Sequence, residues 1–478
     1  LNISHASTLA FCVSPNNKNH SHKHLTHKPP WYTKSKKLLH HCALSGKIER
    51  VVAILRIKRF MSQLKRSALF IVLAMVFLEW LDFSLYLYLA RAIFSKEFFP
   101  PSDDSLTLTF AIFAAAYLAR PVGGWLFGRA ADLNGRKKPL VLSAALMGLS
   151  TLGICILPGY QQIGILAAWG LLMLRIGQGL ALGGEINTSA MFLVEHHPQQ
   201  PLLAGSLVAA SGALGLFCGG AMAAVIQSIA YPSAWRLLFA AVGMISLWVC
   251  ARRKKLTESP EFHKTATQKH ANTLSFYWPG LLNIAAIGVF VSSMVYLCNV
   301  YWQSFAIDCQ LWGNVRTAWT GSCAQLASAL IALPIARYAR AESALRLLQI
   351  SLLCIFLAAP LLFYATVYHQ EPLVYLGLAG YILGNGFTCA ALYFFLYQQL
   401  PTNLRCQGVS TVWAIAASFG AICLPIAEQA VHVHHMLWLP GTTVSLVALL
   451  TLIILSMNQT SPVKSNHQAY YQNGLGVS

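Results

Sequence analysis

Charged side chains are rare inside the long apolar segments of this sequence, and those present are the first candidates for chemistry. Glu79 and Asp82 lie three positions apart on the first segment, so they would share one face of a helix. Arg120 lies on the second segment, and Arg175 and Glu185 lie on the fourth. A carboxylate whose pKa is set by burial and by a nearby arginine can bind and release a proton. We therefore expect reversible protonation at Glu79 and Asp82, and anion binding at the arginines.

The same charges could serve the structure alone, with the three carboxylates neutralising the two arginines as internal ion pairs, and this alternative stays open. The candidates for binding a solute or forming charge pairs are Arg120, Arg175, Gln178 and Glu185. The spacing of cysteines and histidines predicts no metal site, and the chain contains no GxxxxGK[ST] phosphate loop. We therefore expect no cofactor and no enzyme activity.

Helices that cross a membrane must position these residues. Of the 478 residues, 56% are hydrophobic and only 10% are charged, against about 25% charged in soluble domains. Twelve apolar segments lie between residues 67 and 456, and most reach the length of about 20 residues that a spanning helix needs. The sequence predicts an all-α membrane protein with twelve transmembrane helices in two six-helix bundles.

Basic residues mark one side of that membrane. The stretch Gly128–Lys138 is expected to be a tight loop between two spanning helices, and it carries Arg129, Arg136 and two lysines. Several loops on the opposite side are short and poor in Lys and Arg. The positive-inside rule then places both termini in the cytoplasm. The net charge of +19 is explained mainly by these loops and by the first 60 residues, so no nucleic-acid partner is expected.

The predicted organisation has five parts. Residues 1–60 are expected to form a disordered basic extension, for which a misplaced start of the chain is one explanation, followed by a six-helix bundle at 61–251 and a cytoplasmic linker at 252–275. A second six-helix bundle at 276–456 precedes a cytoplasmic tail at 457–478. Within the second bundle, Gly384-Asn385-Gly386 is expected to interrupt its helix near mid-membrane and to act as a flexible point.

Several of these residues form motifs that resemble those of a known family. Gly128-x3-Asp132-x2-Gly135-Arg136-Lys137 is similar to the loop 2–3 motif of the major facilitator superfamily, and Leu174-Arg175-x2-Gln178-Gly179 is similar to its helix 4 motif. Two segments resemble signatures of the metabolite–proton symporters, the group that holds proline/betaine, α-ketoglutarate, citrate and shikimate transporters: Leu78-Glu79-Trp80-x-Asp82-Phe83 and Ala119-Arg120-Pro121-x-Gly123. Further matches are Gly183-Gly184-Glu185, Glu195-His196, Trp235-Arg236, 258–262 and Leu400-Pro401-Thr402-x2-Arg405-x2-Gly408.

The resemblance implies a carrier that alternates access to a central site and couples a small organic solute (a carboxylate, an amino acid or a betaine) to protons. Glu79 and Asp82 would couple the protons, and Asp132 would accept hydrogen bonds from a facing helix N-terminus. The implied partners are the solute, protons and the lipid bilayer. The implied location is the plasma membrane, namely the inner membrane of a bacterium, where the protein would act as a monomer. The implied cytoplasmic gate consists of Gly128, Asp132, Gly135, Arg136 and Lys137.

The sequence departs from the family pattern in two places. Leu133 stands where the motif usually has arginine, and the loop at 336–342 lacks the second copy of the motif, which weakens the expected symmetry of the gates. Two alternatives therefore stay open. One is an exporter or facilitator of the same fold, and the other is a transport-inactive membrane sensor.

Overall fold

The computed structural model describes residues 66–101, 105–228, 233–253, 274–432 and 434–458. The predicted extension at 1–60, residues 254–273 of the predicted linker, the motif at 258–262 and residues 459–478 of the predicted tail lie outside the described residues. The described regular structure is entirely helical, without strands.

Twelve long helices follow one another in this part of the chain. Those of the first half are α1 (Arg66–Leu89), α2 (Ser105–Asn134), α3 (Lys137–Ile156), α4 (Leu166–His196), α5 (Pro201–Ser228) and α6 (Ala234–Arg253). Those of the second half are α7 (Trp278–Val295), α8 (Asn314–Tyr338), α9 (Ala344–Val367), α10 (Glu371–Gln399), α11 (Arg405–His432) and α12 (Leu439–Met457). Eleven of these described helices, all except α2, are long and apolar enough to cross a membrane by length and composition. The predicted all-α class is confirmed.

Helix pairing repeats between the two halves. In the first half α1 packs on α5, α2 on α4 and α3 on α6, and in the second half α7 packs on α11, α8 on α10 and α9 on α12. The halves meet where α2 packs on α11 and where α5 packs on α8. This is the pairing expected of two related six-helix repeats. We call the end of the bundle that carries Arg136, Arg252, Arg337 and Arg405 the basic face.

Glycines bring α2 against both of its main neighbours. A Cβ atom at Gly183 of α4 would lie 2.0 Å from the carbonyl oxygen of Arg120, and one at Gly128 of α2 would lie 2.7 Å from the carbonyl oxygen of Cys406 in α11. Real Cβ atoms do not approach backbone oxygens so closely, so only glycine allows these contacts. The close packing fixes Arg120 beside α4 and holds the basic end of α2 against the start of α11.

The stretch Gly128–Lys138 is mostly helix, so the prediction of a loop there is wrong. Helix α2 continues to Asn134, α3 begins at Lys137, and only Gly135 and Arg136 separate them. Gly135 has φ of +90°, a conformation that glycine adopts readily and that commonly ends a helix. Residues 128–134 stay helical because the glycine contact with α11 supports them at the end of α2.

Gly384-Asn385-Gly386 does not interrupt its helix, which is a second correction. Helix α10 runs unbroken from Glu371 to Gln399, and the hydroxyl of Ser351 donates a hydrogen bond of 2.7 Å to the carbonyl oxygen of Gly384. The irregular segments lie instead at equivalent places in the two halves, where α1 and α7 each continue into a π-helical turn, Ala90–Phe94 and Tyr296–Tyr301.

Candidate functional site

A buried polar chain connects α1 to α4. The side-chain amide of Gln178 donates to Asp82 Oδ2 at 2.6 Å and to the hydroxyl of Thr151 at 3.0 Å, and its carbonyl oxygen accepts from Arg175 Nη1 at 2.7 Å. Asp82, Arg175 and Gln178 are each 1% exposed. The structure therefore brings together three of the predicted residues, with Gln178 as a bridge between the carboxylate and the guanidinium.

Both buried arginines lie against aromatic rings, and they share one of them. The guanidinium carbon of Arg120 is 3.7 Å from the centroid of the Tyr117 ring and 4.7 Å from that of Phe83. The guanidinium carbon of Arg175 is 4.0 Å from the centroid of Tyr86 and 5.6 Å from that of Phe83. Cation–π contacts of this kind stabilise a desolvated guanidinium by about 2 kcal/mol.

Direct ion pairs do not neutralise these arginines. Among the described residues, neither Arg120 nor Arg175 has a carboxylate within salt-bridge distance, and Nε and Nη2 of both are buried without a hydrogen-bond partner. Glu185 instead accepts a hydrogen bond of 2.8 Å from the hydroxyl of Ser143 in α3. Arg175 has the Asp82 carboxylate within electrostatic range through the Gln178 bridge, whereas Arg120 has no such bridge among the hydrogen bonds of the described residues. A buried guanidinium without a directly paired carboxylate costs several kcal/mol, so Arg120 above all favours an anion beside it.

The arginine cluster lies where the two halves meet. Arg120 lies over the ring of Tyr117. The hydroxyl of Tyr117 forms a hydrogen bond with the hydroxyl of Tyr296 in the second half. Ser418 of α11 donates to the carbonyl oxygen of Tyr117 at 3.3 Å. Glu79 of α1 lies within electrostatic range of Tyr393 in α10. Movement of one half against the other would therefore change the surroundings of Arg120 and Glu79.

The second half contributes a polar group that the sequence analysis missed. Gln325 Oε1 accepts hydrogen bonds from the hydroxyl of Tyr381 at 2.7 Å and from Asn385 Nδ2 at 3.2 Å. These side chains carry no charge and lie on α8 and α10, so a search for intramembrane charges passes over them. The sequence signal was Asn385 between two glycines, which we interpreted as a flexible point instead.

A network of buried charges lies at the basic face. Arg136, which is 0% exposed, donates from Nη1 to Asp132 Oδ1 at 2.7 Å and from Nη2 to Glu195 Oε1 at 3.0 Å and to the carbonyl oxygen of Thr402 at 3.0 Å. Arg405 Nη1 donates to the same Glu195 oxygen at 3.2 Å, and its guanidinium stacks 3.8 Å from the centroid of the Tyr397 ring. We call Asp132, Arg136, Glu195 and Arg405 the ion network.

Asp132 connects the ion network to the start of α11. Its Oδ1 accepts a hydrogen bond from the backbone N–H of Cys406 at 3.1 Å, and its Oδ2 accepts one from the backbone N–H of Gln407 at 2.8 Å. The first N–H groups of a helix lack partners within it and carry partial positive charge, so a carboxylate is well placed there. The hydrogen bonds expected from a facing helix N-terminus are present, and they join the two halves.

The other predicted gate residues have different surroundings. Gly128 and Gly135 serve the backbone, as described above, and Lys137 lines a separate groove between α3 and α6. Glu195 and Arg405 belong to motifs in the sequence, but no pattern there connects them to the predicted gate. These two charges lie 210 positions apart in the sequence. Their contact can be predicted only when it is known that the end of α4 meets the start of α11.

We expect Glu195→Gln to lower the free energy of unfolding by about 3–5 kcal/mol, because it leaves Arg136 and Arg405 buried with one carboxylate fewer. Thermal unfolding of the purified protein in detergent measures the change. The matched control is Glu97→Gln at the opposite end of the bundle, where the pair with Arg236 is partly exposed, with side-chain exposures of 37% and 23%. That variant should lose only about 0–1 kcal/mol. Equal losses in the two variants would contradict the special role of Glu195.

Comparison with known proteins gives a consistent result. Residues 69–425 match the family described as the Major Facilitator Superfamily. The chain is 28% identical over 416 residues to the inner membrane metabolite transport protein YhjE of Escherichia coli (strain K12), covering 82% of this chain and 92% of that protein. It is 33% identical over 259 residues to the alpha-ketoglutarate permease of the same strain, covering 48% of this chain and 55% of that protein.

A further match is the proline/betaine transporter of Escherichia coli (strain K12), 29% identical over 259 residues, or 48% of this chain and 50% of that protein. The match to this transporter and the match to the permease thus span only about half of each relative. Among solved structures, the human organic anion transporter MFSD10 (TETRAN) superposes with a TM-score of 0.62 at 16% identity, covering 82% of this chain and 99% of that one. A double Trp mutant of XylE gives a TM-score of 0.61 at 15% identity, covering 82% and 96%. These two structures show the fold alone.

Proposed function

Because the chain belongs to the Major Facilitator Superfamily, a family of membrane transporters rather than enzymes, we propose that it is a secondary active symporter that carries a small organic solute together with protons. One observation carries this proposal. Two buried guanidinium groups lie 4.7 and 5.6 Å from the centroid of the Phe83 ring, next to the surface where the halves meet, and one of them is linked to Asp82.

We propose that the solute carries a carboxylate. The free Nε and Nη2 atoms of Arg120 are buried donors, and an arginine fork fits a carboxylate with two parallel hydrogen bonds. Two similar proteins are named for α-ketoglutarate and for proline or betaine, and each of those compounds contains a carboxylate. The aromatic rings around Arg120 exclude water and would strengthen the charge pairing.

An aromatic cage for a quaternary ammonium finds less support. Of the four aromatic residues that could form one, Trp80 and Tyr296 pack on the same cluster around Phe83 and Tyr117. The face of Tyr86 is covered by Arg175, and Trp302 lies in the second half with its indole N–H bonded to Thr366. A betaine would therefore be held through its carboxylate rather than by a four-sided cage.

The proposed coupling runs through Gln178. When Asp82 is ionised, it accepts a hydrogen bond from the side-chain amide of Gln178, whose carbonyl oxygen in turn accepts one from Arg175. A proton on Asp82 would remove one negative charge from beside Arg175, which increases the attraction of the arginine pair for an anionic solute. Proton and solute would then enter the site together. Glu79, close to Tyr393 of the second half, is the second proposed coupling residue.

The ion network supports alternating access. Its contacts join α2 and α4 of the first half to the α10–α11 connection of the second, so the basic face is closed while they hold. We propose that this face is cytoplasmic, that both termini lie there, and that the protein acts as a monomer in a bacterial inner membrane. Opening the face would break the contacts of the ion network with Thr402, Arg405 and the start of α11, and it would expose the solute site to the cytoplasm.

We expect a thermal-shift screen of the purified protein against carboxylates, amino acids and betaines, each paired with an analogue that lacks the carboxylate (an alcohol, an amine or choline), to find stabilising compounds only among those that carry a carboxylate. Saturating ligand stabilises by about 2.7 kcal/mol at 100 times its Kd. Arg120→Gln should abolish the shift, while the matched control Arg316→Gln, an exposed arginine near the opposite face, should keep it. A shift that survives Arg120→Gln, or an equal shift from a solute without a carboxylate, would refute the assignment of Arg120.

Proteoliposomes test the coupling with the solute that the screen identifies. An imposed gradient of one pH unit, acid outside, should drive accumulation by up to about tenfold for one coupled proton, and a protonophore should abolish it. Asp82→Asn cannot titrate and should lose the response to the gradient, whereas Glu428→Gln, an exposed carboxylate on α11, should retain it. An uptake rate that the protonophore does not change would indicate a facilitator. Binding of the solute without any uptake would indicate a transport-inactive sensor.

A further inference from the structure

A groove with a volume of about 630 Å³ lies between the basic ends of α3 and α6. This volume is in the range of about 300–1,000 Å³ that is usual for sites of small molecules. The residues that line it are Lys137, Lys138, Val141, Leu142, Ala145, Leu247, Cys250 and Ala251. Two lysines thus lie at one end of the groove, and the remaining described residues of its lining are apolar or weakly polar, with no carboxylate among them.

The groove is part of the folded architecture rather than a gap between loosely packed helices. Cys250 Sγ donates a hydrogen bond of 3.3 Å to the carbonyl oxygen of Val141, which ties the two helices together at its base. Further from the basic face, α3 and α6 pack closely, because a Cβ at Gly148 would lie 2.8 Å from the Leu247 side chain. Behind the groove, Val141, Ala145 and Cys250 pack against α1.

The groove lies on the outside of the bundle, away from the solute site. Helices α3 and α6 pack mainly on each other and on helices of their own half. Leu142, which lines the groove, is 63% exposed, and Trp248 beside it is 55% exposed. Side chains of this kind face the hydrocarbon of a bilayer, with tryptophan near the headgroups. The occupant of the groove must therefore be apolar along the helices and anionic at their basic ends.

We propose that this groove binds one anionic glycerophospholipid. The ammonium groups of Lys137 and Lys138 would hold the phosphate, and Leu142 and Leu247 would contact the first part of an acyl chain. Lysine stems can lie along apolar surface while the charge stays at the headgroup level, and basic pockets between transmembrane helices bind anionic headgroups. Arg252, stacked 4.8 Å from the Trp248 ring centroid at the same end of α6, adds a third positive charge nearby.

The lipid site does not depend on the identity of the solute or on proton coupling. It does adjoin the ion network, because Lys137 directly follows Arg136. A lipid phosphate bound there would place negative charge next to the connection between α2 and α3. The bound lipid would also hold the basic ends of α3 and α6 together, so we expect it to stabilise the first half of the protein.

Native mass spectrometry of the full chain, delipidated in detergent, tests the proposal with phosphatidylglycerol and phosphatidylcholine of identical acyl chains. The wild-type protein should retain one phosphatidylglycerol in preference to phosphatidylcholine, and the same lipid should raise its unfolding temperature. Lys137→Gln together with Lys138→Gln should weaken phosphatidylglycerol binding about thirtyfold, as expected for two lysines at an anionic interface. Lys96→Gln, an exposed lysine at the opposite end of the bundle, should leave the preference unchanged.

A second variant, Leu142→Trp, keeps both lysines and enlarges an exposed side chain that lines the apolar part of the groove, so it should weaken binding of both lipids. This variant keeps the proposal testable where the double lysine variant does not fold. Free glycerol phosphate should not stabilise the wild-type protein, and if it stabilises as well as the lipid, the site takes a soluble phosphate and the proposal fails. Equal retention of the two lipids by the wild type, or a preference that survives the lysine changes, would also overturn it.

Discussion

The buried guanidinium of Arg136 is the interaction on which the closed basic face depends. It contacts Asp132 at the end of α2, Glu195 at the end of α4 and the carbonyl oxygen of Thr402 between α10 and α11. A charge that is buried away from water loses several kcal/mol of solvation free energy. Its hydrogen-bond and ion-pair partners offset most of this loss only when all of them contact it. The pairs of Arg136 with Asp132 and Glu195 lie within the first half, whereas the contacts with Thr402, Arg405 and the first N–H groups of α11 need both halves together. An interaction that is nearly balanced in this way can specify a closed state and still open during a transport cycle.

The two sides of the bundle close by different means. Helix pairing is symmetric, with α2 on α11 and α5 on α8, but the side-chain contacts are not. At the basic face Asp132 accepts backbone hydrogen bonds at the start of α11, whereas α5 and α8 meet through the rings of Phe217 and Trp319, 5.9 Å apart. The loop at 336–342 lacks the second copy of the motif, which agrees with this difference. The charged contacts that close the bundle thus lie in the first half and between the first half and α11.

Most of the fold could be predicted from the sequence, because long apolar segments separated by polar turns have few structures open to them in a membrane. The number and order of the helices and the burial of Glu79, Asp82, Arg120 and Arg175 follow from hydropathy. The helical state of residues 128–134 could not be predicted in this way, since it depends on a glycine contact with α11 that lies far along the chain. The same holds for Glu195, whose role appears only when the ends of α4 and α11 meet.

The two glycines of Gly384-Asn385-Gly386 led to a wrong prediction, that of a break in α10. Glycine permits a break in a helix but does not require one. Here α9 packs against Gly384 and donates a hydrogen bond from Ser351 to its carbonyl oxygen, and α8 lies against Gly386. The contact between Arg175 and Gln178 could be predicted, because a spacing of three residues on one helix places two side chains next to each other. In general, pairs within one helix could be predicted and pairs between distant helices could not.

The central claim, that the ion network holds the halves together at the basic face, has a natural reporter in Cys406. This cysteine is fully buried at the start of α11, and its backbone N–H donates to Asp132. The direct measurement is the rate of Cys406 alkylation, resolved by mass spectrometry, in the wild type and in Asp132→Asn, with buried Cys298 and exposed Cys323 as internal references. The account predicts slow alkylation of Cys406 in the wild type and a clear increase in Asp132→Asn, with Cys298 unchanged. An unchanged rate at Cys406 in a folded Asp132→Asn protein would contradict it.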